Sequence, residues 1–104
     1  MKQTDEMFGR FIKGMMPLRK KWQMRYTHED GQVMLYFFHY HHVIYVYECN
    51  SCRTVYEWYE KPADERGLAA IKRTLSSDFG GAIREAARKG PDNHLARVTT
   101  QIYR

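Results

Sequence analysis

The strongest constraint in the sequence is an alternation of period two through residues 21–59, broken at two turn-like places. Trp22, Met24 and Tyr26 alternate with Lys21, Gln23 and Arg25, the pattern of a strand with one buried face. Asp30-Gly31 then offers residue types that tolerate positive φ in a two-residue turn. That turn sets Glu29 opposite Gln32, and the register follows. Tyr26 meets Leu35, Met24 meets Phe37 and Trp22 meets His39, an apolar face for the core. The other face pairs Arg25 with Tyr36 and Gln23 with Phe38. A second predicted hairpin joins residues 43–48 to 53–59 across Cys49-Asn50-Ser51-Cys52. Its rungs set Glu48 opposite Arg53, Val46 opposite Val55, Tyr45 opposite Tyr56 and Val43 opposite Trp58. Unlike charges, aliphatics and aromatics then meet their partners across the strands.

The flanks read as helix. Met7, Phe8, Phe11, Ile12 and Met15 fall at helical spacing behind Thr4, a residue type that caps helices, and Pro17 ends the pattern. The apolar stripe points to core packing, with a partner-binding or membrane-surface helix as the functional alternative. Pro62 suits a first helical turn, and Asp64 and Glu65 complement its dipole. Leu68, Ile71 and Leu75 share one face. Ser76-Ser77-Asp78 breaks the pattern and offers caps for a second helix carrying Phe79, Ile83 and Ala86, which Gly90-Pro91 ends. Residues 95–103 alternate weakly at Val98, Thr100 and Ile102, which predicts a short last strand. The expected fold is α+β: an antiparallel sheet of two β-hairpins plus a short C-terminal strand, with an N-terminal helix and a C-terminal helical hairpin. All of it fits one domain over 1–104, because 104 residues bury one core with little to spare.

Hydrophobic residues make up 43% of the chain and charged residues 28%, a globular balance that argues against wholesale disorder. The longest apolar run, 33–38, is far short of a membrane span. Asp5 and Glu6 stand where a secretory signal would be basic. A cytoplasmic protein is expected, with no membrane association. The net charge of +5 is unevenly spread. Residues 1–26 carry seven bases against two acids, residues 27–60 one against five, and residues 61–104 nine against five. Basic ends suit a polyanionic partner such as nucleic acid; a solvated basic surface is the bland alternative.

Two cysteines are too few for a disulfide framework, and their spacing points to metal or redox chemistry. Two thiolates separated by two residues on a tight turn can reach one ion at about 2.3 Å, and zinc then needs two more ligands. His39, His41 and His42 precede the pair, and His28 lies at the first turn. A Cys2His2 zinc site would take Cys49, Cys52 and two of His28, His39, His41 and His42. The alternatives are a plain turn flanked by small, half-buried thiols, or a disulfide. A thioredoxin-like site is disfavoured, since its CxxC opens a helix and 53–59 reads as strand. The stretch 47–58, Tyr-Glu-Cys-Asn-Ser-Cys-Arg-Thr-Val-Tyr-Glu-Trp, resembles the second knuckle of a zinc ribbon. More loosely, it is similar to the small phage zinc-finger activators of the Ogr/Delta type. That resemblance implies a structural zinc and a regulatory role on nucleic acid.

Arg19, Lys20, Lys21 and Arg25 form one candidate phosphate-contact cluster, and Arg84 and Arg88 on the last helix form another. The helix pair could be a helix-turn-helix, although Gly80-Gly81 weakens the start of its second helix and a plain hairpin over the sheet fits better. Trp22 lies on the predicted core face and is not counted as a stacking residue. No Gly-rich phosphate loop, Gly-x-Ser-x-Gly or carboxylate–x–Lys occurs, so no enzyme activity and no small-molecule substrate are expected. The sequence thus points to a small zinc-binding, nucleic-acid-associated regulatory protein. The alternative is a protein-binding adaptor or inhibitor without metal, drawing on the tyrosine-rich middle.

Overall fold

The computed structural model describes residues 2–14, 21–29 and 31–89. The predicted strand at 95–103, and Met15, Pro17, Arg19 and Lys20, lie outside these residues. Helix α1 (Lys2–Ile12) leads into strands β1 (Trp22–Glu29), β2 (Gln32–His39), β3 (His42–Glu48) and β4 (Arg53–Glu57). Helices α2 (Pro62–Ser76) and α3 (Asp78–Lys89) follow. The four strands form one antiparallel sheet in chain order, β1-β2-β3-β4. The class is α+β, as expected, and the two hairpins are continuous through a third turn at Tyr40-His41.

The register of β1 and β2 is the predicted one along its whole length, from Trp22↔His39 to Glu29↔Gln32. The β3–β4 ladder starts as predicted at Glu48↔Arg53 and Tyr47↔Thr54, then shifts. Val46 pairs with Tyr56 rather than Val55, and Tyr45 with Glu57 rather than Tyr56. Val55 is the extra residue of a bulge. A second bulge sits in β3, where Phe37 pairs with Tyr45 and Phe38 with Val43. It lets both Ile44 and Tyr45 join the core.

One face of the sheet carries Trp22, Met24, Tyr26, Leu35, Phe37 and Tyr47, packed against Phe8 and Phe11 of α1, Leu68, Ile71 and Leu75 of α2, and Ile83 and Ala87 of α3. The Phe8 and Phe37 rings lie 5.6 Å apart. Burying Phe8 and Phe11 stabilises by about 1.5–3 kcal/mol each. That exceeds the ~1 kcal/mol of an N-cap. Docking therefore holds this 11-residue helix in place. The helix also starts earlier than expected, so Thr4 lies inside it and is buried. The opposite sheet face holds a smaller cluster of Tyr36, Val43 and Val46, with Met34, Phe38, Val55 and Tyr56 against it.

Two glycines mark close approaches between elements. A Cβ on Gly67 would stand 1.9 Å from Cη2 of Trp22, so α2 crosses the indole there only because the position has no side chain. A Cβ on Gly80 would stand 2.1 Å from the Leu75 carbonyl oxygen. The glycine that weakens α3 as a recognition helix is what lets α3 fold back tightly on α2. The pair is a plain helical hairpin over the sheet. Among the described residues no helix is long and apolar enough to cross a membrane.

Candidate functional site

Cys49-Asn50-Ser51-Cys52 is a four-residue loop closing the Glu48↔Arg53 pair. Its organiser is the buried Glu48 carboxylate. That group accepts from the backbone N–H of Asn50 (2.9 Å), from the backbone N–H of Ser51 (2.8 Å) and from the Ser51 hydroxyl (2.6 Å). The Ser51 hydroxyl is the main cause holding the Glu48 carboxyl below its ordinary range against the opposing effect of burial, with the two N–H groups adding to it. Asn50 Nδ2 donates to the Gly31 carbonyl at 2.7 Å and ties this loop to the first turn. Glu48→Ala removes three charge-assisted hydrogen bonds. It is expected to cost about 2 kcal/mol, read as a shift in the urea midpoint without a change in slope.

The predicted metal donors are not brought together. Among the described residues no three His, Cys, Asp or Glu side chains group as an ion would require. Cys49 is fully buried in the core, and burial pushes its thiol up to about 12, so it keeps its proton. Cys52 is exposed, and its Sγ donates to the Cys49 carbonyl at 3.7 Å. His39, His41 and His42 stand at the other end of β3, about 20 Å away at 3.3 Å per residue. His39 is committed elsewhere. Its Nδ1–H donates to Asp64, and its ring stacks on Trp22 at 4.2 Å. His42 lies against Trp58 at 5.4 Å, and His41 is exposed in the β2–β3 turn. Only His28, paired with Val33, lies near the cysteine end. A Cys2His2 zinc knuckle is therefore not assembled: the loop's own carboxylate organises its turn, and one sulfur faces the core.

The predicted phosphate contacts also divide. Arg25 sits on the sheet face away from the helices, its Nη2 donating to Gln23 at 3.0 Å, and burial lowers its pKa. Lys21 is exposed at the start of β1, where its carbonyl accepts from Tyr40 N–H. Arg84 and Arg88 lie on α3, over the other face. Arg88 pairs with Glu85 at 3.7 Å and donates to the Cys49 carbonyl at 3.5 Å. Arg84 Nη1 donates to the Leu75 carbonyl at 3.1 Å and to the Tyr47 hydroxyl at 3.4 Å.

Arg84 and Cys52 meet in a cleft. Strands β3 and β4 overhang the helix pair and leave a space of about 520 Å³. It is lined by Tyr45, Tyr47, Cys52 and Thr54 of the ribbon and by Lys72, Leu75, Ser76 and Arg84 of the helices. The Tyr45 hydroxyl hydrogen-bonds Thr54 Oγ1 at 2.7 Å. Lys72 lies 5.8 Å from the centre of the Tyr45 ring and pairs with Glu57 at the rim. Tyr47 is pushed up to about 12, first by burial and then by its hydrogen bond with Cys52, against the pull of Arg84. It therefore keeps its proton, and its oxygen accepts from Arg84. The cleft thus gathers two cations, four hydroxyls and one thiol. Both cations have partners within the protein, Lys72 in Glu57 and Arg84 in the Leu75 carbonyl and the Tyr47 hydroxyl.

Sequence reasoning found two of these eight lining residues. The other six come from β3, β4 and α2, where the alternation and the helical stripe mark Tyr45 and Leu75 for packing rather than for a site. The one available signal for Lys72 was its position beside the Leu68–Ile71–Leu75 stripe, at the edge of the buried face. Compared with family models, curated proteins and solved structures, the chain matches none.

Proposed function

We propose that the protein is a small nucleic-acid-associated regulatory protein that engages phosphate groups at the cleft through Arg84 and Lys72. The observation carrying this reading is the convergence of both cations and four hydroxyls on one open space beside β4. Phosphate oxygens accept readily from guanidinium, ammonium and hydroxyl donors. The formal charge of +5 supports attraction at a distance. The role is binding rather than catalysis. It calls for no structural zinc, since Glu48 organises the loop that resembles a knuckle. A cytoplasmic setting fits two unpaired thiols.

Labelled oligonucleotides titrated by anisotropy at several salt concentrations test the reading. Affinity is expected to fall steeply with salt. The Lys72→Gln, Arg84→Gln double variant should flatten the log–log slope by about 2. No binding of single- or double-stranded DNA or RNA at low salt overturns it. A second reading, a protein-docking adaptor, draws on the other end of the sheet. Tyr40 and Tyr59 are 55% and 50% exposed, and Trp58 lies between β4 and α2. Exposed tyrosines there suit a protein surface, and such binding would be far less sensitive to salt.

A further inference from the structure

Among the described residues, the three helices send their buried apolar side chains to one face of the sheet, where Trp22, Leu35 and Phe37 lie. On the other face a row crosses all four strands. Arg25 pairs with Tyr36, Tyr36 with Val46, and Val46 with Tyr56. The apolar cluster there holds side chains of β2, β3 and β4 only. An antiparallel sheet can leave such a face to water, and side chains standing on it then keep their outer ends wet. Here Tyr36 is 1% exposed and Val46 0%. Nη1 of Arg25 is buried as well and has no hydrogen-bond partner. Burial this complete on the central strands needs a second layer over the face.

We infer that residues 95–103 of this chain dock across that face as its cover. Reach and pattern both single out this segment. Helix α3 ends at Lys89, and Arg88 donates to the Cys49 carbonyl, so the helix finishes beside the β3–β4 loop at one end of the sheet. Residues 90–104 follow, a length that extends to about 50 Å. The largest dimension of the molecule is 33 Å. Residues 15–20 are tied to α1 at one end and to β1 at the other. They would have to run in to the central strands and back within about 25 Å of chain, which is too little. The pattern agrees. Ala96, Val98, Thr100 and Ile102 alternate with Arg97, Thr99 and Gln101, so an extended chain there offers one mainly apolar side to Tyr36, Val43 and Val46. Its backbone carbonyls supply acceptors for Arg25 Nη1. The docking uses no residue of the cleft, and it stands whether or not the cleft engages nucleic acid.

A photo-reactive benzoylphenylalanine placed at Ile102 of the full chain tests the inference. Irradiation at low protein concentration is expected to give cross-links within one chain, mapped to residues 34–38, 43–46 or 55–56. Cross-links between chains that grow with concentration would give the face to a second copy and overturn it. Cross-links to the helices, or none above the urea-unfolded control, overturn it too. Hydroxyl-radical footprinting supplies an independent readout. In the wild-type chain Tyr36 should label far more slowly than the exposed Tyr40 and Tyr59. The Val98→Asp, Ile102→Asp double variant puts two charges on the apolar side of the segment, and should raise labelling of Tyr36 about tenfold while Phe37, on the helix side, stays protected. An unchanged Tyr36 overturns the inference. An equal rise at Tyr36 and Phe37 marks global unfolding, and the cross-link map then decides.

Discussion

Asp64→Ala is expected to cost about 2–4 kcal/mol of folding free energy, the scale for leaving a buried donor unsatisfied and uncapping a helix together. The carboxylate serves two structures at once. Its Oδ1 takes the Nδ1–H of His39, and its Oδ2 accepts from the backbone N–H of Lys61 at 2.9 Å and of Glu60 at 3.2 Å. Alanine leaves a buried imidazole donor unpaired and uncaps the start of α2 together. Burial pushes the Asp64 carboxyl up, but the Lys61 N–H, the His39 ring and the Glu60 N–H outweigh it and hold it below its ordinary range. The sign follows from linkage. A carboxyl lowered in the folded state contributes fully above its unfolded pKa, near 4 for an aspartate, and loses that contribution as pH falls through the folded value. Glu48 is lowered too and adds to the loss in the same acid window. Urea unfolding at pH 7 and pH 3 should therefore show the gap between wild type and Asp64→Asn narrowing in acid. A gap of constant size would contradict the account.

Gly67→Ala is expected to destabilise by about 2–3 kcal/mol, although alanine is the better helix former by about 1 kcal/mol. The new methyl would overlap Cη2 and Cζ2 of Trp22, at 1.9 and 2.1 Å. The indole has no easy retreat, being 4% exposed and stacked on His39. Gly81→Ala is the opposite case. Its Cβ would meet only the end of the Arg84 side chain, at 3.9 Å, so the helix preference should act alone and raise stability by up to about 1 kcal/mol. Denaturant midpoints of the two variants should move in opposite directions.

How much of this was legible in the sequence depends on which forces set each feature. The β1–β2 register was readable because the Asp-Gly pair in the sequence signals a two-residue turn and a one-residue slip would carry Trp22, Met24 and Tyr26 to the other face. The second hairpin was readable only near its loop. Beyond Tyr47↔Thr54 an extra residue enters β4, and alternation alone carries no mark of a bulge. Asp64 read correctly as a helix-start residue, but its bond to His39 spans 25 residues and no local pattern encodes it. The Cys-x-x-Cys spacing was visible, and the directions of the two sulfurs were not. Burial of Cys49 follows from tertiary packing. Cys52 takes φ +54, a left-handed conformation that glycine or asparagine adopts at less cost. Glu48 and Ser51, flanking and inside the loop, were the residues that could have identified a carboxylate-closed turn.

Strand order that matches chain order also bears on how the molecule forms. Each ladder is closed by two or four residues, so little entropy is lost in bringing neighbouring strands together, and the distant contacts are left to the docking of α1 on α2 and α3. Single hairpins form in about 1–10 μs. Newly made chains would therefore spend little time with unpaired edges available to their neighbours.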